Sequence, residues 1–371
     1  MPHHPAISSH SLGRAWVHDT PPKLDAARQY GLDLELFYED LEHVAKAFAG
    51  GVTPANIVKA AHLFRALCDE AQINIVCLQP FMHYEGLRDR VKHAARIEEM
   101  KLWIQLAGIL RTELIAVPSS FLPDSETSGD LDLIVSDLQE IADLDSSIRF
   151  SYEALCWGTH INTWEQSWQI VQAVDRPNFG LCLDTFNMAG KMYADPEARS
   201  GKTLHADRDV EQSLQRLRRV DVDKIFFLQI VDAQKLAEPL TPAHALYDAK
   251  QPSRMSWSRN CRLFYGEDDR GAYLPVQKIL HTIINELGFT GPTSAELFNA
   301  CLTDPSPDTP YQLAERAAES FVRLREDFGA VDGYLKVKDV VVGQSMSISP
   351  PRSTASFFPL HSSEKTVVAV A

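Results

Sequence analysis

Residues 180–187 read "GLCLDTFN", an apolar run that stops on the acid Asp184. A short apolar run with an abrupt end is typical of a buried strand in a parallel sheet. A carboxylate at such a place costs free energy unless a partner compensates its charge. We therefore expect Asp184 to mark a strand end that opens onto a functional site.

Eight apolar runs alternate with amphipathic helical stretches along the chain. This alternation predicts parallel βαβ units, and eight units favour an α/β fold of the (β/α)8 TIM barrel type in a single domain. A doubly wound open sheet is the alternative, but no G-x-G-x-x-G follows the first run. The runs are "AISSHSL" (6–12), "LDLELFY" (32–38), "INIVCLQPF" (73–81), "LIAVPSSF" (114–121), "IRFSYEAL" (148–155), "GLCLDTF" (180–186), "IFFLQIV" (225–231) and "PTSAELF" (292–298).

Helix-start signals stand between these runs. Thr53 precedes Pro54, an arrangement typical of an N-cap followed by the first helical position. Thr163 and Gln166 have the spacing of a capping box. These signals support helices as the connections between strands.

The longest connection lies between the seventh and eighth runs and contains "AKQPSRMSWSRNCRLFYGEDDRG" (249–271). Its composition is too irregular for one crossover helix, and a long loop on this face of a barrel usually shapes the site. We expect the barrel domain to span residues 6–330. Residues 1–5 and the Ser/Pro-rich C-terminal extension, residues 331–371, are predicted to be largely disordered.

Charge and composition exclude several classes of protein. The chain has 371 residues and a net charge of −14, which argues against a general nucleic-acid binder but leaves an anionic small-molecule substrate open. No stretch approaches the ~18 apolar residues of a membrane span. The six cysteines form no CxxC pair, so free thiols in a cytoplasmic protein are expected. The oligomeric state stays open.

Four successive runs end on an oxygen donor. Glu153, Asp184, Gln229 and Glu296 would all emerge at the C-terminal rim of a barrel, where active sites of this fold lie. Converging carboxylates repel one another unless a cation joins them, and an all-oxygen set suits Mg2+ or Mn2+. Taken singly, each has a structural alternative, with Asp184 as a helix cap and Gln229 as a buried amide.

Several stretches resemble the xylose isomerase-like TIM barrels of the sugar phosphate isomerase/epimerase type. They are "YEALCWGTHINTWEQSWQIV", "GLCLDTFNMAGKMYADP", "FFLQIVDAQKL" and "SAELFN". Within that group the chain is most similar to the fungal 3-dehydroshikimate dehydratases of quinate catabolism, over about residues 6–325. The resemblance implies that Glu153, Asp184, Gln229 and Glu296 hold the metal. Many relatives place a histidine where this chain has Asn187, which leaves the catalytic base open.

The resemblance also implies a reaction. A lyase of this kind removes water from 3-dehydroshikimate to give protocatechuate, with a divalent metal that polarises the ketone and stabilises an enediolate. No redox cofactor is needed. The alternatives are a sugar or keto-acid isomerase or epimerase of the same barrel type, and a barrel that binds a small molecule without catalysis.

Further candidates follow predicted strands or lie in the long loop. Histidines exchange protons near neutral pH, and arginines bind planar carboxylates with two parallel hydrogen bonds. Each also has a structural alternative, as a surface arginine, a loop histidine or a buried ion pair. The candidates are His83, His160 and Asn187 for catalysis, and Glu35, Arg88, Arg254 and Arg259 for substrate binding.

Overall fold

The computed structural model describes residues 5–329 and contains a closed parallel barrel. Closure is achieved by the first and last barrel strands, where Ala6 lies opposite Ser294 and Ile7 opposite Ala295. Around the barrel the strand order is β1-β2-β3-β4-β5-β6-β7-β10, and β8 pairs with β9 outside it. The strands are β1 (Ala6–Ser8), β2 (Asp33–Phe37), β3 (Ile75–Gln79), β4 (Leu114–Pro118), β5 (Arg149–Glu153), β6 (Phe179–Asp184), β7 (Ile225–Gln229), β8 (Asp232–Ala233), β9 (Arg262–Leu263) and β10 (Thr293–Ala295).

Helices connect the strands and form the outer layer. Short 3-10 helices cover Ser9–Leu12, Val222–Lys224, Asp268–Arg270 and Ala300–Thr303, and a π-helical turn covers His281–Glu286. The α-helices are α1 (Thr20–Gln29), α2 (Tyr38–Lys46), α3 (Pro54–Ala71), α4 (Arg90–Leu110), α5 (Leu131–Ala142), α6 (Trp164–Val174), α7 (Thr185–Met192), α8 (Ala206–Leu217), α9 (Ser253–Cys261), α10 (Val276–Leu280) and α11 (Thr309–Phe328).

The structure confirms the single-domain barrel and the helix-start signals. Thr53 caps α3, where its side chain accepts a hydrogen bond from the Asn56 N–H and Pro54 is the first helical residue. Thr163 and Gln166 form the predicted capping box at α6. Both caps satisfy backbone N–H groups that the first helical turn leaves unpaired.

The apolar runs become strands because both of their faces are covered. All six residues of β6 are buried, as expected for a parallel strand between the barrel interior and a helix layer. The first and last runs extend well beyond the strands they contain. The first continues as the 3-10 helix Ser9–Leu12, and the last leaves the sheet after Ala295, so Glu296 is the first residue beyond β10.

The long connection between β7 and β10 folds back over the barrel mouth. Its first strand, β8, pairs antiparallel with β9, and Asp232 lies opposite Leu263. Helix α9 leads directly into β9. This hairpin-like return brings Arg262, the first residue of β9, to the ends of the barrel strands.

Residues 1–4 and 330–371 lie outside the described part of the chain. The disorder predicted for residues 1–5 and 331–371 therefore stays a prediction. Among residues 5–329, no helix is both long enough and apolar enough to cross a membrane. The six cysteines are free thiols, five of them buried and Cys301 partly exposed.

Gly180 in β6 offers a test of how tightly the barrel is packed. A Cβ atom there would lie 2.6 Å from the Lys224 carbonyl oxygen and 2.7 Å from the Phe226 ring. We expect Gly180→Ala to lower the free energy of unfolding by about 1–3 kcal/mol, the usual range for overpacking. Thermal denaturation measures the effect.

The matched control is Gly108→Ala in α4. Nothing lies within 4 Å of a Cβ at that position, and alanine favours a helix over glycine by about 1 kcal/mol. The melting temperature should therefore stay level or rise. Equal melting temperatures for the two variants would contradict the packing described for β6.

Candidate active site

The ends of four consecutive barrel strands carry one buried polar cluster, which we call the mouth cluster. Glu153, Asp184 and Gln229 are the last residues of β5, β6 and β7, and Glu296 directly follows β10. All four side chains are buried. Since parallel strands end on the same side of a barrel, sequence-distant acids converge there.

Asn187 ties two of these acids together. From the first turn of α7, its Nδ2 donates to Glu153 Oε1 at 2.6 Å and to Asp184 Oδ2 at 2.8 Å. Its Oδ1 accepts the Cys156 N–H at 3.0 Å, which fixes the orientation of the amide. Asn187 therefore donates two hydrogen bonds to the cluster from one NH2 group. A neutral histidine at this position would have a single N–H to donate.

Asp184 caps a helix, as the sequence allowed, and it also faces the mouth cluster. Its Oδ1 accepts the Phe186 N–H at 2.7 Å and so caps α7. Its Oδ2 faces the cluster and accepts from Asn187. Capping fixes the rotamer of the carboxylate, so the same hydrogen bond that starts the helix also orients the site.

Arg262 is a member of the mouth cluster that sequence reasoning missed. Its Nη1 donates to Asp184 Oδ2 at 2.8 Å and to Glu296 Oε2 at 2.9 Å, and the residue is 2% exposed. The guanidinium also lies against the Phe186 and Phe298 rings at 4.5 and 5.0 Å. The sequence shows only one arginine among several in the long loop, and the β8–β9 pairing decides which one reaches the mouth.

Two strand-end amides, one on β7 and one on β3, donate to acids at the mouth. Gln229 Nε2 donates to Glu35 Oε1 at 2.7 Å, which brings the acid of β2 into the network. Gln79, at the end of β3, donates from Nε2 to Glu296 Oε1 at 2.8 Å. The buried amide of Gln229 is thus satisfied by side chains, with Cys182 Sγ 3.4 Å from its Oε1.

Burial dominates the electrostatics of the cluster. Burial and then the charge of Asp184 raise the pKa of Glu153 to about 8. Burial likewise raises the pKa of Glu35 to about 7 and holds that of Glu296 well above its usual value. Burial acts against the charge of Arg262, but Asp184 and Glu296 outweigh it and raise the Arg262 pKa. The buried acids are therefore stabilised at the mouth by protonation or by a nearby positive charge.

Comparison with known proteins shows to which family this chain belongs. A family model described as "Xylose isomerase-like TIM barrel" matches residues 24–325. The chain belongs to this family. The 3-dehydroshikimate dehydratase of Neurospora crassa is 49% identical over 341 residues, which cover 88% of this chain and 95% of the relative.

Two further proteins extend the comparison. A 3-dehydroshikimate dehydratase of Pseudomonas aeruginosa is 31% identical over 285 residues, 75% of this chain but 36% of that longer protein. The crystal structure of the IOLI protein with a binding zinc atom has a TM-score of 0.65 at 17% identity, over 88% of this chain and 99% of that one. At this identity the likeness concerns the fold. These matches confirm the resemblance to the xylose isomerase-like TIM barrels that the sequence showed.

The donor chemistry of the mouth cluster fits a divalent cation. Carboxylate and amide oxygens are the ligands that hard cations prefer, and Glu35 Oε2 is buried there without a hydrogen-bond partner. Arg262 already supplies one positive charge, because its guanidinium lies between Asp184 and Glu296. N–H donors of Asn187 and Arg262 occupy the space between the acids, so Glu153, Asp184 and Glu296 are held apart by hydrogen bonds.

A second acidic group lies outside the barrel, between α4 and α5. Ligand atoms of His93, Asp137 and Glu140 come within 4.8 Å of one another. The Asp137 carboxylate, however, accepts from Arg90 Nη2 at 2.7 Å and Nη1 at 3.2 Å. An arginine already neutralises this acid, and the group packs two helices together rather than facing the mouth.

The two candidate histidines lie beside the mouth without touching the cluster. His83 Nδ1 is 3.4 Å from Ser120 Oγ, and the preceding Ser119 donates its N–H to the Glu153 carbonyl at 2.8 Å. Burial and then the charge of Arg96 lower the pKa of His83 to about 4, so the ring is neutral at neutral pH. His160 lies further out, where its Nε2 is 3.2 Å from Thr127 Oγ1.

The three candidate arginines have different environments. Arg88 is exposed and donates from Nε to the Asp124 carbonyl at 2.8 Å. Arg254 donates to the carbonyls of Gly190 and Ala194 at 2.7 and 3.0 Å, which closes the C-terminal end of α7.

Arg259 is exposed and donates to Gln251 Oε1 at 2.8 Å. None of the three candidates contacts the mouth cluster as Arg262 does.

Glu85 supports the loop that carries His83 and gives a pH prediction. Its Oε1 accepts the Ser120 N–H at 2.6 Å and the Tyr152 hydroxyl at 3.1 Å, and burial raises its pKa to about 7. The folded protein therefore keeps a proton that the unfolded chain releases above its usual pKa of 4.5. This contribution to stability is present at low pH and is lost as the pH rises through about 7.

We expect Glu85→Gln to flatten the dependence of melting temperature on pH between about pH 5 and pH 8. Thermal melts of the variant and the wild type across this range measure the slope. Glu98→Gln, at an exposed position of α4, is the control and should leave the slope as it is. A wild-type slope in the Glu85→Gln protein would show that Glu85 has no raised pKa.

Proposed function

We propose that this chain catalyses the dehydration of 3-dehydroshikimate to protocatechuate. The observation that carries the proposal is the 49% identity to a 3-dehydroshikimate dehydratase across 95% of that protein, joined to a mouth cluster built at the strand ends. In the reaction a proton leaves the carbon beside the ketone and a ring hydroxyl leaves as water. The substrate is a small molecule.

Glu153, Asp184, Gln229 and Glu296 would hold a divalent cation, for which we propose Mg2+ or Mn2+. When bound, such a cation acts as a Lewis acid on the ketone oxygen and eases removal of the neighbouring proton. Support comes from the all-oxygen donor set and from the buried Glu35 Oε2 that lacks a partner. A relative with the same fold, the IOLI protein, was solved with a zinc atom.

The other residues of the mouth orient these groups and move protons. Asn187 and Arg262 keep the carboxylates of Asp184, Glu153 and Glu296 in place through N–H donors. We propose His83 as the group that takes up a proton, because it lies beside the mouth next to Ser120 and its ring is neutral at neutral pH. His160 would act at a greater distance, through the hydrogen-bonded Thr127. Asn187 has no basic nitrogen and serves as a donor.

A direct assay tests the reaction. Purified protein is incubated with 3-dehydroshikimate and Mg2+ or Mn2+, and the aromatic absorbance of protocatechuate is followed. We expect turnover that stops with a chelator and returns when the cation is restored. An isomerised product without new aromatic absorbance would support the isomerase alternative. No change of the substrate with either cation would contradict the proposal.

Substitution of the proposed ligands tests the metal site separately from turnover. We expect Glu153→Gln and Glu296→Gln to weaken binding of Mn2+ by at least about tenfold, because each removes a charged oxygen donor. Calorimetric titration with Mn2+ measures the affinity. Glu326→Gln, on the exposed side of α11, is the control. Unchanged Mn2+ affinity in both cluster variants would place the cation elsewhere.

A further inference from the structure

The loop after β3 holds His83 in an unusual backbone conformation. His83 has a φ of +58°, in the left-handed region that is uncommon for any residue other than glycine. Such a conformation costs free energy and persists where surrounding contacts fix it. His83 is also the residue that takes up the proton in the proposed function, so an inference about these contacts deepens that function and rests on it.

The position of His83 sets it apart from the other residues with a positive φ. Among residues 5–329, three further residues that are not glycine have one, and each ends a helix. Gln72, Arg111 and Asp175 are the C-caps of α3, α4 and α6, where a left-handed residue commonly closes the last turn. His83 ends no helix. Its conformation therefore depends on contacts of the loop on both sides of it.

The two residues before His83 fix the place where the loop leaves the barrel. The Phe81 N–H donates to the Ala116 carbonyl of β4 at 2.9 Å. Arg96 of α4 donates from Nη2 to the Met82 carbonyl at 2.6 Å, and its guanidinium lies 4.0 Å from the centroid of the Phe81 ring. The chain thus enters His83 between a barrel strand and a helix that both hold it.

Glu85, two residues after His83, ties the loop to two barrel strands. The residue is 4% exposed, and its Oε1 accepts the Ser120 N–H at 2.6 Å and the Tyr152 hydroxyl at 3.1 Å. Ser120 lies two residues beyond β4, and Tyr152 is the last residue but one of β5. One carboxyl group therefore joins the loop after β3 to the ends of β4 and β5.

A second anchor of the loop lies on α5. The Gly86 N–H donates to Asp137 Oδ2 at 2.9 Å, and the Tyr84 hydroxyl donates to the Asp137 carbonyl at 2.7 Å. Asp137 is itself buried. Since residues on both sides of His83 are bonded to the barrel or its helices, relaxation of the His83 φ would have to break one of these bonds.

The imidazole of His83 lies against the stretch that Glu85 binds. Its Nδ1 is 3.4 Å from Ser120 Oγ, and its ring meets the Phe121 ring edge-on, with the centroids 4.3 Å apart. Glu85 holds the backbone N–H of Ser120. A displaced Glu85 would therefore shift both the loop that carries His83 and the residues that its ring contacts.

Both partners of Glu85 are also close to Glu153, a proposed metal ligand. Tyr152 directly precedes Glu153 in β5. Ser119, the residue before Ser120, donates its N–H to the Glu153 carbonyl at 2.8 Å. Glu85 thus connects the loop of the proposed base to the strand of a proposed metal ligand through short paths.

We propose that Glu85 is a positioning residue for the reaction, which together with Tyr152 holds His83 at a fixed place relative to Glu153. Proton transfer requires donor and acceptor within hydrogen-bond reach, and a displacement of about 1 Å can lower a rate about 100-fold. Because Glu85 acts through His83, its loss changes kcat rather than the binding of substrate or cation.

The test compares Glu85→Leu, which removes the acceptor, with Glu85→Gln, which keeps an oxygen for Ser120 and Tyr152. Relative to the wild-type holoenzyme, we expect Glu85→Leu to lower kcat for 3-dehydroshikimate about 10- to 100-fold and to change KM less than about threefold. Glu85→Gln should bring kcat back to within about threefold of the wild type. The matched control is Asp33→Leu at the opposite end of the barrel, because Asp33 is also a buried acid that accepts a backbone N–H, that of Asn74 at 3.0 Å. It should lower the melting temperature and leave kcat as it is.

A double variant separates positioning from a general loss of structure. If Glu85 acts through His83, Glu85→Leu combined with His83→Gln should lose no more kcat than His83→Gln alone. Losses that multiply in the double variant overturn the inference. An unchanged kcat in Glu85→Leu does so too, as does a kcat that Glu85→Gln fails to restore.

A measurement without turnover follows His83 itself. In protein with isotope-labelled histidine, the Cε1–H signal of His83 is identified by its absence in His83→Gln. We expect this signal to stay in place in Glu85→Gln and to shift or broaden in Glu85→Leu. Tyr152→Phe removes only the hydroxyl that Glu85 accepts, so it decides the inference if Glu85→Leu does not fold. Its control is Tyr311→Phe, whose hydroxyl donates to Asp25 Oδ2 at 2.9 Å between two outer helices.

The two proposals fail in distinguishable ways. If the wild type does not turn over 3-dehydroshikimate while the His83 signal responds to Glu85→Leu, the proposed function fails and the hold of Glu85 on His83 stands. If the wild type turns over the substrate and neither Glu85→Leu nor Tyr152→Phe alters kcat or the His83 signal, the positioning role is overturned and the function stands.

Discussion

Convergence of buried carboxylates at one end of the barrel is the constraint on which the mouth depends. Parallel strands end together, so acids far apart in the chain are forced within hydrogen-bonding distance of the same donors. Burial raises the pKa values of Glu153 and Glu296, and Asn187, Gln79 and Arg262 supply the N–H groups that hold them. Arg262 supplies one positive charge to these acids, and the cation proposed above would supply more.

The layers around the cluster have separate tasks. Asp184 starts α7 and orients the cluster with one carboxylate, which couples the helix to the site. The β8–β9 pair carries Arg262 across the mouth.

Much of this could be predicted from the sequence because strand ends in a parallel barrel are equivalent places. The apolar runs located all eight barrel strands, and the last residues of four runs pointed to Glu153, Asp184, Gln229 and Glu296 as neighbours. Their role as metal ligands stays a prediction, as do the roles of His83 and His160. Arg262 could not be found in this way, since it lies in a connection whose course depends on packing.

The sequence by itself determined the fold class, the helix caps and the side of the barrel on which the acids meet. These are properties of local periodicity and of the rule that parallel strands end together. Tertiary structure alone decided which positive charge reaches the acids and which amide each acid bonds. It selected Arg262 over Arg88, Arg254 and Arg259, because only an antiparallel pairing distant along the chain places a guanidinium between Asp184 and Glu296.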